Sequence, residues 1–344
     1  MFKKVCSLMV LSITAVSNFL FAEIEYEIND IGTLQTHSSQ AIAINNNGQI
    51  LGWYNIDGSS EGNHFFVRDR NGTFNELVDK KNKAEGIIID WRYLLDSGVV
   101  YGLYYPDASS AILYMWNQHD GVVNLGNFPV RSIIAINDAG QFLISISELE
   151  DGKVMKRPAI WQNGQITRLK GLSGDLGIEA EESYGCDINN NGDVVGRSLV
   201  LLSYKNKLYS QFHATKWSNG QAIDLHDEIP KSTYSTAVAI NDHGDVLISP
   251  GLLFLEDGKI IDVNEEYKTT NKNYLYRDSV ILDRNGKKIT DIGTLRYIHR
   301  LDKKSIWWAF DHILSVNDSG EIITNGRTVW GEEHAILLVP VKSN

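Results

Sequence analysis

The side chains with the clearest chemical pattern lie in one stretch, where oxygen-bearing residues recur at every second position. They match the first half of a calcium-binding loop: Asp187, Asn189, Asn191 and Asp193. The place of the bidentate glutamate in such loops holds Ser198, and related stretches have Ala43 or Ala239 instead of the leading aspartate. A turn therefore explains the pattern without a metal, with calcium as the alternative. We expect no metal and no cofactor.

Matching positions in the chain also carry three histidines: His64, His213 and His334. Converging imidazoles would form a metal site, but equivalent positions of a repeat lie apart, which favours hydrogen bonding within the structure. The chain contains no His-Glu-x-x-His motif, nucleophile elbow, phosphate-binding loop or dinucleotide fingerprint. Acidic pairs such as Glu181-Glu182 could serve a glycosidase, although such pairs are typical of solvated surface. No catalytic residue is assigned.

A third set of residues combines aromatic rings with acidic groups. This mixture suits recognition of a carbohydrate or a protein. The candidate contacts are Trp53, Tyr54, Asp57, Tyr104, Tyr105, Asp107, Glu148, Glu150, Tyr204, Trp307, Trp308 and Trp330. Trp307 and Trp308 follow a basic stretch, but both also fit the first strand of a repeat, where one ring would pack between units. Core packing is the favoured interpretation of that pair.

The elements that must position these side chains come from a repeat. A hydrophobic residue followed by Asn-x-x-Gly and a second hydrophobic run occurs five times, and a degraded sixth copy reads Asp96-Ser97-Gly98. The five copies begin at Asn45, Asn137, Asn189, Asn241 and Asn317. Asn at the first and Gly at the fourth position favour a type I turn followed by a left-handed glycine. Each copy thus predicts a tight connection between two strands, a and b.

Further along each unit, Asn-Gly or Asp-Gly dipeptides predict a second tight hairpin, between strands c and d. They stand at 71–72, 120–121, 163–164, 219–220, 257–258 and 285–286. Such dipeptides favour type I′ turns, which need positive φ at both central residues. The b–c and d–a connections are expected to be long, variable loops that crowd the opposite end of each unit and carry function.

Four-stranded antiparallel units at a spacing of ~40 to 50 residues predict an all-β fold, a β-propeller. We count seven blades, with six as the alternative, because the unit between Val263 and Ser279 shows only one clear inner strand. The segment 26–32 reads as a d strand without its own unit, and the last unit lacks a d strand. We therefore expect the N-terminal strand to complete the last blade at 336–339 and close the propeller.

Residues 1–22 have the charged start, apolar stretch and terminal small residue of a secretory signal peptide. Residues 23–344 are then expected to form one repeat domain that is secreted or periplasmic and monomeric. The whole chain has a formal net charge of −11, and loss of Lys3 and Lys4 would make it more negative. This charge argues against binding nucleic acid or an anionic membrane. No later stretch is apolar enough for a membrane span.

Several of these phrases together resemble the HAF-repeat family of bacterial extracellular repeat proteins. The His-Ala-Phe phrase is matched by His64-Phe65-Phe66, His213-Ala214-Thr215 and His334-Ala335-Ile336, and the Asp-Leu-Gly-Thr-Leu phrase by residues 30–34 and 291–295. The Ala-x-x-Ile-Asn-x-x-Gly phrase is matched by 41–48 and 237–244. The resemblance implies export and a repeat fold; it implies no reaction.

The expected function is that of an exported binding or scaffold module that recognises a carbohydrate or protein partner through its b–c and d–a loops. The alternative is a hydrolase or lyase acting on an extracellular polysaccharide. Convergence of carboxylates or histidines would favour the enzyme, and an open aromatic surface would favour the binding module.

Overall fold

The computed structural model describes residues 26–31, 38–55, 63–78, 89–227, 229, 234–249, 251–263, 267–270, 273–292 and 307–341, without the side chains of 63, 307 and 308. The predicted signal peptide and Asp57 lie outside these residues. Within them the fold is all-β, a β-propeller arrangement of small antiparallel sheets. No helix of the described residues is long and apolar enough to cross a membrane.

The strands of the first half are β1 (Tyr26–Asp30), β2 (Ser38–Ile44), β3 (Ile50–Asn55), β4 (Asn63–Arg68), β5 (Phe74–Glu76), β6 (Asp90–Leu94), β7 (Val100–Tyr104), β8 (Ala111–Asn117), β9 (Gly121–Phe128), β10 (Ala135–Ile136), β11 (Phe142–Glu150), β12 (Lys153–Gln162) and β13 (Gln165–Arg168).

The second half contains β14 (Ser183–Ile188), β15 (Val194–Tyr204), β16 (Lys207–Ser218), β17 (Gln221–Asp224), β18 (Thr236–Ile240), β19 (Val246–Ser249), β20 (Leu252–Phe254), β21 (Ile260–Asp262), β22 (Lys268–Thr269), β23 (Tyr274–Arg277), β24 (Val280–Asp283), β25 (Lys288–Asp291), β26 (Trp307–Phe310), β27 (Ser315–Val316), β28 (Ile322–Thr328) and β29 (Glu333–Pro340).

In the described residues these strands form five separate four-stranded sheets, β6–β9, β10–β13, β14–β17, β18–β21 and β22–β25, and one nine-stranded sheet. The predicted count of seven four-stranded blades, or six, is therefore wrong: five such blades are present. The strands predicted for the first and last units share the nine-stranded sheet, because a parallel bridge between Ser38 and Glu333 joins β2 to β29. The thin unit is complete, since Tyr274–Arg277 pairs as its second strand.

The pairing predicted for the N-terminal strand is confirmed. Strand β1 lies antiparallel to β29 over five residues, from Tyr26 opposite Pro340 to Asp30 opposite Ile336. Tyr26 is buried there, and Ile31 adds a backbone hydrogen bond from its N–H to the carbonyl of Ala335 at 3.0 Å. The first described strand therefore covers an edge of β29 that would otherwise be open.

The chain divides into two compact units. The first comprises Met1–Tyr104, Leu113–Gly126 and Asn273–Asn344, and the second comprises Tyr105–Ile112 and Asn127–Lys272. Within each unit the core lies between neighbouring sheets: in the second, Val195 and Ala214 pack with Ala237 and Ile248 of the next sheet. Central strands are thus covered on both faces, which explains their unbroken apolar runs.

The turn predictions are partly right. Every a–b glycine has positive φ, as at Gly48 (73°) and Gly192 (82°), where the type I turn was expected. Of the c–d hairpins, only 163–164 and 219–220 have positive φ at both residues, as type I′ requires. At Asn71-Gly72 the glycine alone is positive, and its N–H bonds to the carbonyl of Asp69 at 2.9 Å. A type I turn plus a bulged glycine replaces the type I′ turn there.

The repeated asparagines have a second role. All five are buried, and Asn45, Asn137 and Asn189 donate to the neighbouring sheet of their unit. In the second unit, Nδ2 of Asn137 bonds the carbonyl of Asn189 at 2.9 Å, and Nδ2 of Asn189 bonds the carbonyl of Asn241 at 2.9 Å. In the first, Asn45 bonds the carbonyl of Leu95 in the next sheet at 2.8 Å, and Asn317 bonds the carbonyl of Asn45 within the nine-stranded sheet at 3.1 Å. We call these bonds the asparagine ladder. Each accepting carbonyl also takes the N–H of the glycine in its own turn, so the ladder adds a second hydrogen bond at each carbonyl and links adjacent repeats.

Candidate functional site

The predicted contact residues of the first unit are not brought together. Tyr54 is only 4% exposed, its ring stacks on His64 at 5.2 Å, and its hydroxyl donates to Glu76, so it is part of the core. Trp53 and Tyr104 are half-buried, whereas Trp330 is 69% exposed at a turn. Trp307 lies in β26 with Trp308, and β26 pairs with β28 as expected for the first strand of a repeat. No hydrogen bond or ring contact among described side chains links these aromatic residues.

The predicted acidic contacts of the second unit are occupied by intramolecular bonds. Asp107 accepts the N–H groups of Ser109 and Ser110 at 2.7 and 2.9 Å, and hydrogen bonds from both hydroxyls hold its pKa well below the usual range. Glu148 pairs with Arg168 at 2.6 Å, and Glu150 pairs with the buried Arg157 at 2.9 Å. These carboxylates therefore hold their own loops and strands together.

The calcium-like stretch is likewise occupied by protein contacts. Oδ1 of Asn189 accepts the N–H groups of Asn191 and Asp193 at 3.1 and 2.9 Å, and Asp193 pairs with Lys216 at 3.1 Å. Asp187 accepts the N–H groups of Ile188 and of Ile240 in the next sheet, at 2.9 and 3.0 Å. Among the described side chains no group of three or more His, Cys, Asp or Glu could hold a metal ion.

The b–c connections of the second unit differ from the expected long loops. Strands β11 and β12 continue to a two-residue turn at Asp151-Gly152, and β15 and β16 continue to one at Lys205-Asn206, all four with positive φ. Both turns are of the type I′ kind, so the extra length is in the strands. The alternation of apolar and polar residues before Asp151-Gly152 is the sequence signal that could have predicted the first hairpin.

These two hairpins expose large apolar side chains. On the first, Leu149 (73% exposed) lies opposite Val154 (58%). On the second, Tyr204 (61%) and Tyr209 (45%) share one face and Leu208 (61%) occupies the other. Exposed apolar groups gathered on projecting elements are typical of interaction sites.

The segment between β13 and β14, residues 169–182, contacts both hairpins. The N–H of Lys156 in β12 bonds the carbonyl of Glu181 at 2.8 Å, and the N–H of Leu199 in β15 bonds that of Glu182 at 2.8 Å. At Gly174 the segment passes so close to β15 that an added Cβ would lie 2.0 Å from the carbonyl oxygen of Leu201. The same segment exposes Leu176 (50%) and Ile178 (47%). We call the seven exposed apolar residues of the two hairpins and this segment, on both faces of the second hairpin, the hairpin surface: Leu149, Val154, Leu176, Ile178, Tyr204, Leu208 and Tyr209.

Two histidines and an aspartate do converge, on the sheet β14–β17. Nδ1 of His213 lies 2.7 Å from Oδ2 of Asp224, and the rings of His213 and His226 stack at 4.1 Å. Nδ1 of His226 lies 2.8 Å from Oγ of Ser235. Burial and the neighbouring His213 lower the pKa of His226, so its ring is neutral near pH ~7.

Nε2 of His213 has no hydrogen-bond partner among the described atoms, which is the arrangement of an aligned base. However, His213 is only 4% exposed, so a substrate has little access to it. In the first unit, His334 at the matching repeat position lies 2.9 Å from Oδ2 of Asp30. The histidines therefore bond within the fold, as the sequence favoured.

No family model matches the chain, and no curated protein matches it. Among solved structures, one from a study of two prolyl endopeptidases has a TM-score of 0.49 and 11% identity, over 89% of this chain and 50% of that chain. TolB from Acinetobacter baumannii has a TM-score of 0.38 and 9% identity, over 89% of this chain and 64% of that chain. A puromycin hydrolase mutant has a TM-score of 0.47 and 8% identity, over 88% of this chain and 52% of that chain. The chain thus spans between 50% and 64% of the length of these structures.

Proposed function

We propose that this protein is an exported binding module that recognises a protein partner through the hairpin surface. The observation that carries the proposal is the exposure of Leu149, Val154 and Leu208, each more than half exposed on a regular hairpin. Aliphatic side chains offer no ring face for a sugar to stack on, so they favour a protein over a carbohydrate. Tyr204 and Tyr209 add the aromatic groups that dominate binding energy at protein interfaces.

The experiment that tests the proposal places a photo-crosslinking amino acid on the folded, mature chain, either at Leu208 or at Ile260. Ile260 is an exposed apolar residue (38%) on the outer strand β21, outside the hairpin surface, and is the matched control. Exposed to proteins from the chain's native surroundings, the Leu208 probe is expected to capture a discrete partner that the Ile260 probe does not. Capture at both positions, or at neither, would contradict the proposal.

Once the partner is purified, its affinity provides a quantitative check. Leu208→Ser with Tyr209→Ser is expected to weaken binding at least about tenfold, because two anchors lose their apolar contact. Ile260→Ser should leave the affinity within about twofold. A parallel glycan array tests the carbohydrate alternative. Glycan binding that persists in the double variant would show that a carbohydrate binds outside the hairpin surface.

The second candidate is a hydrolase acting on an extracellular polysaccharide, for which the pairing of Asp224 with His213 supplies an aligned base, provided that the buried, unpartnered Nε2 of that ring becomes accessible to the polymer. An aligned imidazole of this kind can act as a general base. The test is release of reducing ends from polysaccharides by the wild-type chain and by His213→Gln. Release that disappears in the variant, with the fold retained, would establish the enzyme.

A further inference from the structure

Arg197 lies between two aromatic rings, and the proposed protein binding assigns no role to this arrangement. It lies in β15, directly opposite Tyr184 of β14 on one side and Ala214 of β16 on the other. Its guanidinium carbon lies 4.5 Å from the centre of the Phe212 ring and 5.3 Å from that of Tyr184. Two aromatic rings therefore hold one guanidinium group in place.

Contact with the two rings provides no hydrogen-bond acceptor for the guanidinium N–H groups. The side chain of Arg197 makes no hydrogen bond to another described residue and no ion pair with a described carboxylate. The carboxylate that contacts Tyr184 is also paired with a cation, since Glu182 binds Nζ of Lys156 at 2.9 Å and the hydroxyl of Tyr184 at 2.8 Å.

The position of Arg197 suits a small ligand. The face that it shares with Val195 and Ala214 packs, further along, on Ala237 and Ile240 of the next sheet of the same unit. Arg197, Tyr184 and Phe212 are all partly exposed, toward the b–c end of this apolar seam. An ion at this place would be shielded from water on its apolar side, which strengthens a charged hydrogen bond.

We propose that Arg197 is an oxyanion-binding residue that takes one carboxylate or phosphate group of a small ligand. Guanidinium N–H groups lie in one plane and match two oxygens of such a group with two parallel hydrogen bonds. Phe212 and Tyr184 orient the fork, so little side-chain freedom is lost on binding. This site is separate from the hairpin surface and does not depend on the protein partner.

The test is a titration followed by nuclear magnetic resonance of the arginine Nε–H groups in the full-length mature chain. The Arg197 signal is assigned by its loss in Arg197→Lys and is expected to be shifted upfield by the two rings. Acetate, galacturonate and phosphate are added separately, with galactose and sodium chloride at equal ionic strength as controls. Arg327, which is paired with Glu333, serves as the internal control signal.

A saturable shift of Arg197 with acetate, galacturonate or phosphate, and none with galactose or chloride, is the expected result. The response to acetate against phosphate tells which oxyanion is preferred, and galacturonate against acetate tells whether a sugar ring adds affinity. Phe212→Leu should weaken binding by about threefold to tenfold while circular dichroism stays unchanged. Equal shifts with chloride, or no saturation below about 50 mM, would overturn the proposal, since that corresponds to less than about 2 kcal/mol of binding free energy.

Discussion

At the scale of single residues, Asp187 is the clearest departure from the repeat. Its sister positions hold small residues such as Ala43 and Ala239, yet its carboxylate bonds the N–H of Ile240 in the next sheet. Burial, partly offset by the two backbone hydrogen bonds, raises the pKa of Asp187 to about 6. An ionised carboxylate is therefore less favourable in the folded chain than in water.

Asp187→Asn should accordingly change stability in a pH-dependent way. A carboxyl whose pKa is raised on folding favours the folded state while it is protonated, and this contribution is lost as the pH rises through about 4 to 6. The variant cannot ionise, but its amide accepts only one of the two backbone N–H groups, so it should be less stable than the wild type at pH ~4 and recover about 1 to 3 kcal/mol relative to it at pH ~7. Urea unfolding at both pH values measures this. A difference that does not vary with pH would contradict it.

At the scale of elements, the asparagine ladder shows how one residue type serves two purposes. Oδ1 of Asn189 closes its own turn by accepting from Asp193, while Nδ2 reaches the carbonyl of Asn241 in the next sheet. The next residue reinforces the contact, since Oδ1 of Asp242 accepts the N–H of Asn190 at 2.8 Å. The tight turns therefore hold neighbouring sheets in register as well as reversing the chain.

Asn189→Asp tests this second purpose alone. The carboxylate can still accept the two turn hydrogen bonds, but it cannot donate to Asn241 and places a charge beside that carbonyl. We expect a loss of about 2 to 4 kcal/mol in the free energy of unfolding. Asn71→Asp is the matched control, because Asn71 is exposed and only accepts from Thr73 within its own turn. Chemical denaturation showing equal effects for both variants would refute a ladder that links sheets.

At the scale of the whole molecule, buried residues join parts of the chain that are distant in sequence. In the first unit, Ile50 and Phe66 pack with Ile323 and Ala335, which lie in the same nine-stranded sheet but come from the other end of the sequence. Such contacts join distant parts of the chain, so closing them costs more chain entropy than closing a local hairpin. Strand β1 belongs to this class, because its partner β29 is nearly the whole sequence away.

A chain that begins at Gly32 should therefore lose stability out of proportion to the five residues of β1. The deletion removes the buried Tyr26 and exposes the edge of β29. We expect a loss of at least about 3 kcal/mol and concentration-dependent association through the open edge. Thermal melting measures the loss of stability, and sedimentation measures the association. A synthetic peptide of residues 24–32 should restore the stability and prevent the association, whereas a scrambled peptide should not. An unchanged melting temperature would show that β1 is dispensable.

Local sequence was enough to predict the β fold, the a–b turns and the pairing of Tyr26–Asp30 with the last strand. The reason is physical: Asn and Gly determine turn geometry within four residues, and unpaired strand edges demand partners. The binding residues were harder to predict, because exposure depends on where each strand ends. Tyr54 has the same ring as Tyr204, yet one is buried beside His64 and the other projects from a hairpin. The same holds for charged residues, because charges separated in sequence gain or lose partners through tertiary contacts. Only the packing of β12, β14, β15 and β16 pairs Glu182 with Lys156 and leaves the side chain of Arg197 without a carboxylate partner among the described residues.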